Sequence, residues 1–336
     1  MLQFKKGLPI MALLLLLVGG CGTTAQETGG DNPAEAEAKN ATIGVTQIVE
    51  HPSLDAAFEG FKDALAEAGF KEGENVKYDV QIAQGDMNNA QTIASNFTND
   101  GVDMIFANST PSAQSALNAT KDIPIIFTSV TDPAGANLVE SMDKAGQNIT
   151  GTTDIHPDAI PNTVKFMSEE AGASKVGMIY NSGEQNSVSQ VEQAKKAMEG
   201  TGMEVVEATV STTAEVKQAA ESLVGRADVF YIITDNTVVS AIESVVNVAS
   251  EHDMPLFTGE LDSVKRGAFA AYGFDYYDIG FEAGQMAAQV LNGEKEISEI
   301  PPQYPQNLKL VMNKQAADEM GVDIKEAWSS EAEFLE

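Results

Sequence analysis

Hydroxyl and amide side chains cluster in this chain where apolar runs end. Asn108, Ser109, Thr110 and Ser112 surround Pro111 directly after the apolar run Asp103 to Ala107, and Ser129, Thr131 and Asp132 follow the run Ile123 to Thr128. Pro is tolerated in the first turn of a helix because its missing N–H would have had no partner there. A helix start flanked by hydroxyls is a ready site for a carboxylate or phosphate, since its first N–H groups and its dipole both favour negative charge. The plainer alternative is that Ser109 only caps the helix. Later apolar runs end in the same way: Asn181, Glu184, Asn186 and Ser187 in NSGEQNS, then Asp235 and Asn236, then Glu260, then Asp275. Taken singly, each can be a cap or an Asx turn. Their recurrence at run ends in both halves of the chain makes them candidates for one site.

The elements that must position these residues alternate between strand and helix. Short apolar runs at 42–48, 75–83, 103–107, 123–128 and 147–153 read as strands, and apolar residues recur at helical spacing over 54–68 and 87–99. The pattern restarts near 158, with strands expected at 175–180, 205–210, 229–234, 255–258 and 267–272, separated by helices at 188–198, 214–224 and 237–252. A long helix follows Tyr276, and its Gly280, Gly284, Ala287 and Ala288 suggest close packing. This predicts an α/β protein of two doubly wound parallel-sheet lobes. Polar mouths in such sheets gather at the carboxyl ends of the strands, where ligands bind.

The length of 336 residues suits two lobes better than one. Twenty Lys plus Arg against fifty Asp plus Glu give a net charge of −30, and the only arginines are Arg226 and Arg266. Nucleic-acid binding is therefore not expected, because it needs a basic footprint. Residues 1–20 carry Lys5 and Lys6, an apolar run and then Gly19 and Gly20 before Cys21, the sole cysteine. That is a secretory signal, too short to span a membrane. Leu17 to Cys21 resembles a bacterial lipobox, which implies cleavage before Cys21 and a lipid on its sulfur. Loss of Lys5 and Lys6 would take the charge from −30 to −32. Residues 21–40 read as a flexible tether.

No G-x-S-x-G elbow, dinucleotide fingerprint, phosphate loop, H-E-x-x-H or EF-hand pattern occurs. We therefore expect no catalytic residues, no cofactor and no metal. Several ordered segments instead look like the tryptophan and tyrosine uptake (TrpX-like) family of ABC-transporter substrate-binding proteins. They are TQIVEHPSLDAAFEGFKDAL at 46–65, STPSAQ at 109–114, FTSVTDP at 127–133, NSGEQNS at 181–187, TDNTVVSA at 234–241 and YGFDYYDIG at 272–280. The resemblance covers residues 41–325. It implies a type I periplasmic-binding-protein fold whose chain crosses a hinge three times, near 150–154, 272–275 and 300–306. The lobes would comprise 41–152 with 275–302 and 153–274 with 303–336.

It also implies a free amino acid as ligand, aromatic by family, delivered to an ABC permease by a monomeric, lipid-anchored protein. The ligand carboxylate is then expected at Ser109, Thr110 and Ser112, helped by Ser129 or Thr131. The ammonium is expected at an acid of the opposing mouth, Asp235 before Glu260, Glu184 and Asp275, with Asn181, Asn186, Ser187 and Asn236 adding hydrogen bonds. His51 is a pocket candidate, or a loop residue that fixes the turn before Pro52. Phe274, Tyr276 and Tyr277 lie at a hinge mouth with either role open. Branched amino acids, sugars and nucleosides remain alternatives within the same fold, as does a ligand sensor for a membrane receptor.

Overall fold

The computed structural model describes residues 40–336, so the expected signal, the lipid site at Cys21 and nearly all of the tether lie outside the described residues. The chain runs β1 (Ala41–Gln47), α1 (Pro52–Glu67), β2 (Val76–Ile82), α2 (Met87–Asp100), β3 (Met104–Asn108), α3 (Thr110–Ala119), β4 (Ile125–Val130) and β5 (Ile149–Thr153). It continues through α4 (Ala159–Glu169), β6 (Lys175–Asn181), α5 (Gln185–Met198), β7 (Glu204–Val210), α6 (Val216–Leu223), β8 (Val229–Ile232), α7 (Asn236–Ser240), α8 (Ile242–Glu251) and β9 (Leu256–Thr258). It closes with α9 (Asp262–Lys265), β10 (Ala270–Gly273), α10 (Tyr276–Asn292), β11 (Lys309–Asn313), α11 (Lys314–Glu319) and β12 (Ala332–Leu335).

Two sheets result, one ordered β2-β1-β3-β4-β5 and one ordered β12-β11-β10-β9-β8-β6-β7. The first is wholly parallel. Strands β3 and β4 are buried at every position, which is what continuous apolar runs flanked by helices on both faces require. The second sheet departs from the parallel expectation at one place, where β11 runs antiparallel to β10. Strands β11 and β12 were not foreseen, because neither shows a long apolar run. The helix expected over 237–252 is broken at Ala241 into α7 and α8.

Local signals set the helix ends near the site. Pro52 opens α1, Pro111 lies in the first turn of α3, and Ser109 is its N-cap, accepting from the Ser112 N–H at 3.4 Å. In each sheet the strand order reverses once, at β1/β3 in the first and at β6/β8 in the second, and the mouths at those reversals are where an open α/β sheet leaves a crevice. The chain passes between the sheets three times: from β5 to α4, from β10 to α10, and from α10 to β11. The first and third crossings are tied together, with Thr153 N–H donating to the Gln303 carbonyl at 2.9 Å and Gln303 N–H to that of Gly151 at 3.0 Å.

Helix α10 returns to the first sheet and lies against α1 so closely that side chains are excluded from the seam. A Cβ at Gly280 would stand 1.9 Å from the Ala57 carbonyl oxygen, and one at Gly60 2.1 Å from that of Tyr277. Beneath this seam Phe61 stacks on Phe106 with centroids 3.9 Å apart. Because the obstacle is backbone, a larger residue can be accommodated only by moving the helices apart. Gly280→Val should therefore lower the unfolding free energy by about 2–3 kcal/mol, read as a lower urea midpoint at unchanged m-value.

Candidate functional site

The two mouths face each other. At the first, Ser109 and Ser129 hold left-handed backbone, with φ of 107° and 56°, a conformation that costs a non-glycine residue about 1–3 kcal/mol and persists where the surroundings demand it. Ser109, Thr110, Ser112 and Ser129 are buried. Ser109 Oγ donates to Ser112 Oγ at 3.2 Å, whereas Thr110 Oγ1 and Ser129 Oγ have no hydrogen-bond partner. Two dry hydroxyls beside the start of α3 are donors awaiting an acceptor.

At the opposing mouth the polar residues form one network. Glu184 accepts from Thr237 Oγ1 at 2.9 Å and from the Asn236 side-chain amide, and Asn186 Nδ2 donates to it at 3.4 Å. Asp235 accepts from the Asn181 N–H and Ser187 Oγ, both at 2.6 Å, and from the Val238 N–H at 2.8 Å. Asn181 is held in turn, its Nδ2 donating to Thr237 Oγ1 at 3.0 Å. Glu260 accepts from the Asp262 N–H at 2.6 Å, from the Ser263 N–H at 3.0 Å and, across the cleft, from Ser53 Oγ at 3.0 Å.

The expectation for the acids needs two corrections. Asp235 caps α7 and ties it to the end of β6, so both of its oxygens serve the scaffold and it does not line the cleft cavity. Asp275 is absent from the cluster altogether. It stands at the start of α10 with its side chain 42% exposed and ion-paired to Lys309 at 2.9 Å, a partner supplied by the unforeseen β11.

The acid that the sequence reading passed over is Asp154, at the first crossing. It accepts from Thr131 Oγ1 at 2.8 Å and from the Tyr276 hydroxyl at 2.9 Å, and it borders a small cavity of about 10 Å³ in the closed cleft. The other walls are His51, Leu54, Thr234, Asn236, Val239, Glu260 and Tyr276. Gln190 was also missed. Its side-chain amide donates to Thr131 Oγ1 at 3.1 Å and to Thr234 Oγ1, so it spans the cleft. Asp154 follows a strand and could have been found by the rule that found its neighbours, but a Gln in mid-helix carries no such signal.

Asp154, Glu184, Asp235 and Glu260 are all at most 6% exposed, yet among the described residues no Lys or Arg is buried. Burial pushes the Asp154 and Glu260 carboxyls above the ordinary carboxylate range. Burial and then the Glu184 charge do the same to Asp235. His51 does not compensate: burial first, then the Arg266 charge, hold its pKa down at about 4, so the ring is neutral. Among the described residues no group of three or more His, Cys, Asp or Glu side chains is placed to hold a metal ion.

The comparisons agree on the class of molecule. Residues 42–334 match the family described as ABC transporter substrate binding protein, and the chain belongs to that family. Its fold is that of type I periplasmic binding proteins, shared with a glucose-galactose binding protein and with a solute binding protein solved with myo-inositol, 14% and 19% identical. The chain is 43% identical to the tyrosine-binding protein of Clostridioides difficile (strain R20291) over 319 residues, 94% of this chain and 92% of that one. The solved ABC domain from Streptococcus pneumonia in complex with L-Trp is 34% identical and superposes with a TM-score of 0.83 over 88% of this chain and 99% of that one. The ligand-free, open structure of a substrate binding protein with adhesive properties from Clostridium difficile is 40% identical but reaches only 0.65 over the same shares. The less similar sequence gives the better superposition. This accords with the bonds across the cleft, Ser53 to Glu260, Gln190 to Thr131, and Ser189 Oγ to Asp132 Oδ2 at 3.1 Å, which make this a shut arrangement.

The neutral His51 imposes a pH dependence whose sign follows directly. The unfolded chain takes up a proton near pH 6.5, whereas the folded chain resists until about pH 4, so the folded state loses stability on acidification between those values. At pH 5 the loss relative to pH 7 is about 2 kcal/mol. Urea unfolding at both pH values should show His51→Gln losing about 2 kcal/mol less than the natural chain; an equal loss in both would place the titrating group elsewhere.

Proposed function

We propose that the protein captures a free L-amino acid with an aromatic side chain in the cleft and delivers it to an ABC permease. It acts as a carrier and not as an enzyme. One observation carries the reading: carboxyls buried without a cation face a helix start whose hydroxyls lack an acceptor. A zwitterion supplies both missing charges. Its ammonium would be held by Asp154, with Glu260 close by in the cavity wall, and its carboxylate by Thr110, Ser129 and the N–H groups that open α3. Ser109 and Ser112 hold that helix start in place. Glu184, Asn181, Asn186, Ser187, Asp235 and Asn236 form the rigid wall behind the cavity. Neutral sugars and nucleosides would leave the acids uncompensated, which costs far more in a dry site than in water.

The aromatic preference rests on the walls and on the relatives. Leu54, Val239, Tyr276 and His51 offer apolar or flat surfaces, with Phe274 stacked behind Tyr276 at 5.7 Å. The relatives are a tyrosine-binding protein and a domain solved with L-Trp. The expected signal and the lipobox resemblance at Cys21 support a mature protein that lies outside the cytoplasm, is held to the membrane by lipid and works as a monomer beside the permease.

Isothermal titration calorimetry tests the assignment of charge. Trp, Tyr or Phe should bind, and at 100 times its dissociation constant the ligand should stabilise the fold by about 2.7 kcal/mol. Asp154→Asn should weaken binding by about 100-fold and Thr110→Val by about 10-fold. Tryptamine, which has no carboxylate, should be insensitive to Thr110→Val but should still suffer from Asp154→Asn. Binding of a neutral sugar in place of any amino acid would sink the reading.

A further inference from the structure

We propose that His51 Nδ1 accepts a hydrogen bond from the side chain of the bound ligand, so that the site selects aromatic amino acids bearing a ring N–H or O–H over phenylalanine. The inference rests on the reading of the cleft as a site for an aromatic amino acid and adds to it the residue that chooses among them.

The argument begins with which polar atoms of the cavity wall are already engaged. Asp154 accepts from Thr131 and Tyr276, which also engages the Tyr276 hydroxyl. Thr234 Oγ1 accepts from Gln190, Glu260 accepts from Ser53, Asp262 and Ser263, and the Asn236 amide donates to Glu184. Leu54 and Val239 have no polar side-chain atom. Of the residues lining the cavity, only His51 has a buried side-chain nitrogen or oxygen without a partner, and that atom is Nδ1. The residue is 7% exposed, so water does not readily serve it, and an unpaired buried acceptor is destabilising.

The tautomer follows from the neighbour. The Asn236 amide nitrogen donates to Glu184, and Asn236 acts to raise the His51 pKa, as a carbonyl oxygen turned toward the imidazole would. Nδ1 has no partner, and we therefore put the ring proton on Nε2, the nitrogen turned toward Asn236. Nδ1 is left with a lone pair and can only accept. The ring does not become doubly protonated near neutral pH, since burial holds its pKa down at about 4, so one of its nitrogens keeps a free lone pair. His51 also stands as the N-cap of α1, yet its side chain caps nothing, so the helix does not account for its position. An indole N–H or a phenol O–H would complete the wall; a phenyl ring would bury Nδ1 unpaired.

Competition between ligands tests this more sharply than affinity alone. Calorimetric titration of the full chain with Tyr, Trp, Phe and 1-methyltryptophan should give dissociation constants for Phe about 10- to 100-fold weaker than for the better of Tyr and Trp. Methylation of the indole nitrogen should weaken Trp by a similar factor. In His51→Leu the ratio between Phe and its hydroxylated or indole counterpart should fall to within about threefold. A merely structural role for His51 would weaken all ligands alike and leave that ratio intact, which would overturn the proposal. Equal affinity of the natural chain for Phe, Tyr and Trp would overturn it without any variant, and this arm stands even if His51→Leu does not fold. No binding by any of the four would instead remove the aromatic amino acid reading, and the selectivity proposal with it.

Discussion

Four carboxyl groups, buried where no described Lys or Arg is buried with them, are the constraint around which the cleft is arranged. A carboxylate taken out of water needs hydrogen bonds, a cation or a proton, and here the protein supplies mainly the first. Backbone N–H groups at helix starts do much of this work, for Asp235 at α7 and for Glu260 at α9, while side-chain hydroxyls and amides hold Asp154 and Glu184. That accounts for the density of Ser, Thr and Asn at the strand ends. It also explains why the arrangement remains unfinished: hydrogen bonds reduce the penalty of buried negative charge but do not cancel it, and a ligand that brings a cation relieves what the fold leaves.

Closure draws on the same groups. Glu260 reaches across to Ser53 at the start of α1, and Gln190 links Thr131 with Thr234. The Ser53–Glu260 and Gln190–Thr131 bonds each join an element of one sheet to an element of the other, so they exist only when the mouths meet. The α1–α10 seam, by contrast, is fixed backbone against backbone. Tyr276 is the first residue of α10 and bonds Asp154 at the first crossing, so the rigid seam, the hinge and the cavity share one side chain. A ligand contacting Asp154 would therefore act where the chain crosses between the two sheets, and a change in charge there would bear on an open–closed balance.

The strand-helix alternation was legible because parallel strands buried on both faces read as apolar runs with polar ends. Ser109, Thr110, Ser112, Ser129, Thr131, Glu184, Asn186, Ser187, Asp235, Asn236 and Glu260 were found by that rule, and all are buried. Gly280 and Gly284 announced the close seam through their helical spacing. Strands β11 and β12 were illegible because the pairing partner of a short strand is decided by the rest of the sheet, not by its own residues. Asp275 was misjudged for the same reason: its neighbour Lys309 lies on β11.

The harder distinction lay among acids that look alike. Asp154 and Asp235 both follow an apolar strand, and both are buried and hydrogen-bonded. In Asp235 the donors are two backbone N–H groups and one hydroxyl from residues that the chain holds together in any state of the cleft, so its carboxylate is a fastening. The Asp154 carboxyl accepts from the Thr131 and Tyr276 hydroxyls, with the Thr234 side chain and a backbone N–H also acting on it, and it borders the cavity. A hydroxyl can rotate, so Asp154 can share its partners with an incoming ammonium, whereas Asp235 cannot release its backbone donors without unravelling a helix start. No pattern along the chain separates the two. What separates them is the kind of donor that the fold brings to each, and that is decided by residues more than a hundred positions away in the case of Tyr276.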